Sequence, residues 1–453
     1  MANLSFREHE YTAEDTHLGL VLGVMCLAVL LAQVDTSVVN LAVRSIGTSL
    51  RTGVTGLQWV LDGYNLAYAI LLLTGGLAAD LYGRRRLFVL GAGIFTLGSL
   101  LCAIAPNIAV LIAGRVVSGG GAALLLPATL SIIRVEWRDQ RARNRALGIW
   151  AACNGLAFVV GPTLGGALVD ALGWRSVFLI AVPLGAVAVG LALLVVPESR
   201  DPVGRCFDAA GQLWGALALA GLALAGIEGS RNKAVALGAL AVSIIAAVRF
   251  LLTERRHADK AMVPLDMFSS RPFVGALIAT TVMTFGMYGV LFLVPLVWQS
   301  SNVLSARVAG LALVPMAAVF FALSNASGRL VDLIGARSLI GGGTALIGIG
   351  LLVLSATGSA TPLWLAEIGL VLTGCGMGLN TGPLFGVAVA AVSAARSGSA
   401  SSLINVARMI GATLGVAVLG SAFTLVGSLW LPMLLGGVAQ LIGAFVAWRA
   451  IRQ

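Results

Sequence analysis

The chain has 453 residues, 58% of them hydrophobic and only 11% charged, with a mean hydropathy of +0.98 and a formal net charge of +10. Soluble domains carry roughly 25% charged residues, so this composition excludes a soluble multi-domain protein of that length. The positive excess lies mostly as arginines in short connections, which points to membrane topology rather than to nucleic acid.

The first nineteen residues, MANLSFREHEYTAEDTHLG, are polar and acidic, so a cleavable signal peptide is not expected and targeting falls to the first apolar span. A membrane helix needs about 20 mostly apolar residues. Windows of that size predict fourteen spans, near 18–42, 57–79, 87–105, 109–133, 146–170, 176–196, 211–228, 235–252, 272–297, 308–327, 338–356, 363–387, 401–424 and 428–448. An even number returns the chain to its starting side. One set of alternate connections holds 20 of the 29 Lys and Arg residues, among them Arg84, Arg85, Arg86, Arg134, Arg138, Arg141, Arg143 and Arg145. The other set holds 6, and Arg115, Arg249 and Arg408 fall inside spans. Positive-inside bias then places both termini in the cytoplasm.

Span one carries Gln33 and Asp35, and span two opens with Asp62, followed by Tyr64, Asn65 and Tyr68. A charge at the bilayer centre costs at least ~2.5–3.5 kcal/mol on insertion scales, so it needs a partner, water or a proton. Counting along the spans puts Asp35, Asp62 and Arg115 of span four at similar depth in the outer half, which predicts a coupled cluster. Such carboxylates can exchange protons while the arginine tunes their proton affinity; a structural ion pair, or for Asp62 a solvated helix mouth, is the alternative. The loop after span two reads GLAADLYGRRR (Gly76–Arg86), with Gly76, Asp80, Gly83, Arg84 and Arg85. Spans four and five carry Gly119, Gly120 and Gly121, then GPTLGG with Gly161, Pro162, Gly165 and Gly166. Close helix packing explains small residues of this kind, and a proline can bend a helix. Asn154 precedes them in span five.

Beyond spans seven and eight the pattern returns. GRLVDLIGAR (Gly328–Arg337) repeats Gly-x-x-x-Asp-Leu-x-Gly-x-Arg, with Asp332 standing 252 residues after Asp80 and Arg337 closing the motif. Asn405 lies 251 residues after Asn154. Matching loops eight spans apart imply two parallel halves of six helices with two helices inserted between them, an all-α integral membrane architecture. The expected divisions are a cytoplasmic tail over 1–17, a first half over 18–200, the inserted pair over 201–258, and a second half with a short tail over 259–453.

These motifs resemble the major facilitator superfamily, and within it the fourteen-helix drug:proton antiporters and the methylenomycin A resistance type of exporter. The likeness covers nearly the whole chain. VDTSVVNLAV (Val34–Val43), WVLDGYNLAYA (Trp59–Ala69), the Arg115 stretch and the segment from Gly173 are similar to signatures of that group. The resemblance makes Gly76–Arg86 a cytoplasmic latch that favours the outward-facing state, joined by Asp332 and Arg337. Leu81 stands where a basic residue is usual. It also makes Gly161, Pro162, Gly165 and Gly166 an antiporter motif. By the same likeness protons are the coupling ion, and no cofactor is needed.

A midplane cavity between the halves is the transporter expectation. Its candidate lining is Gln33, Tyr64, Asn65, Tyr68 and Asn154 from the first half, and Phe285, Tyr288, Phe292, Asn325, Asn380 and Asn405 from the second. Arg408, in span thirteen, could hold an anionic substrate, pair across the cytoplasmic gate, or serve packing alone. Glu367, close to the start of span twelve, reads as interfacial. Because the second half has no central acid equivalent to Asp35, a neutral or monocationic lipophilic substrate fits better than a dication. Five scattered cysteines (Cys26, Cys102, Cys153, Cys206, Cys375) form no CxxC or Cys/His cluster, so no metal is expected. No Walker, HExxH or Ser/His/Asp pattern suggests an enzyme or an ATP-driven pump. The sequence therefore predicts a monomeric, proton-coupled efflux antiporter in a bacterial cytoplasmic membrane, its partners being a lipophilic small molecule, protons and the bilayer. A dedicated exporter of one secondary metabolite, or a non-transporting sensor or scaffold, are the rival readings.

Overall fold

The computed structural model describes residues 13–200, 208–256, 263–301, 303–358, 361–393 and 396–451, apart from the side chains of 13–15, 73, 144, 154, 397 and 398. Among the described residues thirteen helices are long and apolar enough to cross a membrane, and a bent pair, taken as one span, makes a fourteenth. In chain order they are α1 (Ala13–Ser49), α2 (Val54–Tyr82), α3 (Arg84–Ala103), α4 (Ile108–Glu136), α5 (Gln140–Leu172) and α6 (Ser176–Val195). Then come α7 (Ala209–Glu228), α8 (Lys233–Arg256), α9 (Arg271–Ser300) and α10 (Ala306–Ile334). The last four are α11 (Ala336–Ser355), α12 (Leu363–Ala390), α13 (Ser399–Val426) and α14 (Trp430–Ala450). The predicted spans are all present, most with longer ends; α1 runs for 37 residues rather than the 25 or so expected.

Helix ends follow side-chain chemistry. Asn107 and Asp139 cap α4 and α5 by accepting from the backbone N–H of Val110 and Ala142, and Asp208 caps α7 through Gly211 N–H. Gly83 and Gly335, the matching glycines of the repeated loop motif, have φ +111° and +80° and separate α2 from α3 and α10 from α11. Only glycine takes that backbone at little cost, so the repeat in sequence is a repeat in backbone geometry.

Packing repeats as well. Contacts α1–α5, α2–α4, α3–α4 and α3–α6 recur, eight helices later, as α9–α13, α10–α12, α11–α12 and α11–α14. The two six-helix groups meet through α1–α9 and through the reciprocal pairs α2–α13 and α5–α10, as a two-fold relation requires. Outside this core α7 packs on α2 and α13, and α8 on α7. Leucines such as Leu194, Leu237 and Leu333 point outward, the inverse of a water-soluble surface and what lipid demands.

Two breaks shape the helices nearest the interface. α2 bends by 52° between Leu72 and Thr74. There Gln212 of α7 donates to the Ile70 carbonyl at 2.6 Å and accepts from the Thr74 hydroxyl. A bent helix leaves carbonyls without their usual donors, and in a bilayer another side chain must supply them. In α13, residues Gly415–Leu419 form a π turn. Gln58 of α2 donates to its Val416 and Ala417 carbonyls at 3.0 and 2.8 Å.

Candidate functional site

Arg115 lies on α4 where glycines let α2 come close: a Cβ on Gly119 would stand 2.3 Å from the Tyr64 carbonyl oxygen. With α2 so near, the guanidinium spans the gap to two helices. Its Nη1 donates to Asp35 Oδ2 of α1 at 2.5 Å, and its Nε donates to the Val60 carbonyl of α2 at 3.0 Å. The Tyr64 ring lies 4.4 Å beneath its Cζ and stacks against Tyr68, with 6.3 Å between ring centroids. Both charged side chains of the pair are about 1% exposed. Desolvating two charges is repaid only by good geometry and further hydrogen bonds, which this arrangement supplies.

Asp62 does not join that pair. It is fully buried, and among the described residues neither carboxylate oxygen has a hydrogen-bond partner, with Asn65 its amide neighbour one turn on. It shares a helix face with Gln58, four residues earlier, whose side chain reaches α13. Similar depth along the spans did not make one cluster of three, because α2 turns Asp62 away from the face that meets Arg115. The alternative of a solvated helix mouth fails on burial.

Gly76–Arg86 forms a compact charged knot. Arg84 pairs with Asp80 at 2.9 Å, and its N–H donates to the Ser199 carbonyl. Glu198, not singled out in the sequence, accepts from the backbone N–H groups of Arg85 and Arg86, both at 3.2 Å, and so caps α3 with a carboxylate. The VPESR run after α6 was the available signal. Arg84, Arg85 and Arg86 make these contacts within the first six helices. Its counterpart differs: Asp332 is exposed with no ion pair among the described residues, while Arg337 donates to the Trp448 carbonyl and stacks 3.8 Å over the Trp448 ring. The repeat preserves the backbone turn and not the charge pair.

The GPTLGG segment is a wedge between the two groups. Gly161 and Gly165 lie against Ser37 and Val38 of α1; Gly166 and the Pro162 carbonyl lie against Ala306 and Gly310 of α10. A Cβ on Gly166 or Gly310 would come within 2.4 or 2.2 Å of a backbone oxygen. Hydrogen bonds of Gln58 to α13, of Gln299 to the Leu41 carbonyl and of Arg307 N–H to Asp170 link the two six-helix groups at this same end of the bundle. That end, opposite the face where α1 begins, is closed.

The expected cavity lining divides. Tyr64, Asn65, Tyr68 and Tyr288 are buried where α2, α9 and α13 converge; Phe285, one turn before Tyr288, is half-buried, as is Gln33 of α1, next to the Ala32 carbonyl that accepts from the Tyr64 hydroxyl. Asn380 is not cavity-facing: its amide lies 3.0 Å from Thr344 Oγ1 and ties α12 to α11. Asn325 and Asn405 return their amides to the Phe321 and Ser401 carbonyls of their own helices. Phe292 is fully buried in the core. The Asn154 side chain lies outside the described residues. A shallow apolar crevice lies between α2, α7 and α13, lined by Leu66, Leu219, Ile410 and Thr413 and by none of the expected residues.

A fourteen-span helical bundle with internal two-fold packing, a buried ion pair and contacts that join its halves at one end has the build of a polytopic membrane transporter. Residues 25–416 match the Major Facilitator Superfamily, and the chain belongs to that family. It is 37% identical over 390 residues to the multidrug resistance protein Stp of Mycobacterium tuberculosis, covering 85% of this chain and 72% of the relative. It is also similar to the methylenomycin A resistance proteins of Streptomyces coelicolor (31% identity, 96% of this chain and 93% of the relative) and Bacillus subtilis (34%, 94% and 93%).

Proposed function

We propose that this chain exports lipophilic small molecules such as antibiotics or biocides by exchange for protons, with both termini in the cytoplasm. The observation that carries the reading is the Asp35–Arg115 pair, a charge pair sealed among α1, α2 and α4 with one carboxylate oxygen left without a partner. That oxygen is an acceptor open to a proton. Protonating Asp35 leaves the guanidinium without counter-charge in an apolar site, so the proton, the pair and the packing of three helices are coupled. Asp62 supplies a second carboxylate on the face toward α13. The relatives' names support drug-like cargo.

In this orientation the closed end is the outer one, and the structure is the state that receives cargo from the cytoplasm. The two six-helix groups, 18–200 and 259–453, are proposed to rock about the α2–α13 and α5–α10 contacts, with the pair over 201–258 riding on them. The arginines of the knot at Asp80–Arg86 contact Asp80, Val196, Glu198 and Ser199 of the first group, and the knot's latch role belongs to the outward-facing state.

The test is proton movement in proteoliposomes with an internal pH dye, adding lipophilic compounds and comparing wild type, Asp35→Asn and Asp62→Asn. Compound-triggered proton movement that Asp35→Asn abolishes is the expected result. Compound flux with unchanged proton movement in Asp35→Asn transfers the carrier role to Asp62. Compound flux in wild type without any proton movement ends the antiport reading.

A further inference from the structure

Arg408 of α13 is a membrane arginine that the Asp35–Arg115 arrangement does not use. Its side chain is half-buried, its Nε is fully buried, and that Nε has no hydrogen-bond partner among the described residues. It has no ion pair there either. The charges within reach are already accounted for: Asp35 is taken by Arg115, Asp62 is sealed on α2, and Glu367 sits near the other end of α12. The neighbours of Arg408 are phenols. Its guanidinium lies within electrostatic range of Tyr68 on α2 and Tyr288 on α9, and neither hydroxyl makes a hydrogen bond to a described residue. Val406 and Met409, on either side of it, pack with Tyr64 and Tyr68, so this stretch of α13 faces the junction of the two six-helix groups.

A half-buried guanidinium with no counter-charge is costly to keep within a membrane-spanning helix. Arginine is also the side chain best shaped for a carboxylate, because its fork of N–H donors meets two oxygens at once. The phenol hydroxyls beside it add donors and the rings add apolar stacking surface. A cationic cargo meets the opposite: no carboxylate at this junction is exposed to receive it. We propose that Arg408, with Tyr68 and Tyr288, is the polar end of the cargo site, and that the cargo is a lipophilic organic acid, anchored as its carboxylate or enolate. This narrows the exporter reading above and rests on it, replacing the neutral or monocationic cargo that the sequence favoured. It also fixes the electrical sign of transport. A monoanion leaving for one entering proton moves two positive charges inward, whereas a monocation exchanged for one proton moves none.

The experiment uses the full chain in proteoliposomes and matched sets of an aromatic carboxylic acid, its methyl ester and the corresponding amine on several ring scaffolds. Cargo movement and internal pH are followed together, at zero potential and at a potential set by potassium and valinomycin. Acids are expected to move, with a rate that rises as the interior becomes negative, while esters and amines do not. Arg408→Gln should weaken the apparent affinity for acids by at least about tenfold, the size of one lost charge-assisted hydrogen bond. Arg408→Lys should lose less, and it controls for folding of the glutamine variant. Esters or amines moving as well as acids, acids moving unchanged in Arg408→Gln, or no acid moving at all would each overturn the assignment. Acid movement without proton movement leaves Arg408 standing and removes only the coupling.

Discussion

Arg115 bonds to α1 and α2 with two different nitrogens while lying flat on Tyr64. Removing one member of a buried pair strands the other, at a cost of about 3–5 kcal/mol, whereas removing both can be nearly neutral. Asp35→Asn and Arg115→Gln singly should therefore lower thermal stability in detergent. The double variant should recover most of the loss without recovering proton movement. Melting curves for the three proteins, set beside the pH-dye assay, separate the structural share of the pair from its coupling share. A double variant as unstable as the singles would show that the Val60 and Tyr64 contacts, rather than charge, hold Arg115. Asp35 and Arg115 were legible in the sequence because a charge inside an apolar span is conspicuous. Their separation from Asp62 was not, since depth along a helix says nothing of rotation about it. Gln58, Gln212 and Gln299 were passed over because a neutral amide in a span is unremarkable until the carbonyl it serves is known.

The elements carry their own tests. The turn glycines of the repeat announced themselves at Gly83 and Gly335, where a positive φ restricts the residue type. Asp332 shows the limit: four residues on, where Arg84 pairs with Asp80, the repeat has Ala336, so Asp332 makes no ion pair among the described residues, and Arg337 binds the Trp448 ring and carbonyl. The GPTLGG wedge reads as helix packing, and it is packing both within the first group, through Gly161 and Gly165 on α1, and across the two groups, through Pro162 and Gly166 on α10. That consequence makes Gly310 informative. Gly310→Val places a side chain on the Pro162 carbonyl, and such overpacking costs typically 1–3 kcal/mol. The strain exists only while α5 and α10 touch, so it is relieved by opening that end. Expected is a protein that still folds but spends more time open there. Cysteines placed along α5 near Asp170 should then react faster with a membrane-impermeant thiol reagent from the outside. Labelling equal to wild type would mean that the α5–α10 contact does not form the closed end.

At the scale of the molecule, the inserted α7 crosses from one group to the other along its length. Near its start Gln212 holds the bend of α2; near its end the Gly226 and Ile227 carbonyls accept from Ser421 of α13, at 2.8 and 3.1 Å. The two anchors lie toward opposite faces and on different six-helix groups, so rocking the groups must stretch, tilt or release α7. The sequence showed that two helices were inserted but not where, because both are uniformly apolar and their attachment rests on one glutamine and two backbone carbonyls. Each anchor is worth the net ~0.5–1.5 kcal/mol of an intramolecular hydrogen bond, a modest stake in total stability but a sizeable one in a balance between two states. Gln212→Leu and Ser421→Ala should therefore leave the melting temperature close to wild type while changing the transport rate together. If α7 is a brace across the groups, releasing either end frees the same motion, and the double variant should add little to either single one. If α7 is only a lipid-facing neighbour, the two effects are independent and add. Initial rates for the four proteins at saturating cargo decide between a brace that works as one unit and a helix that merely touches both sides.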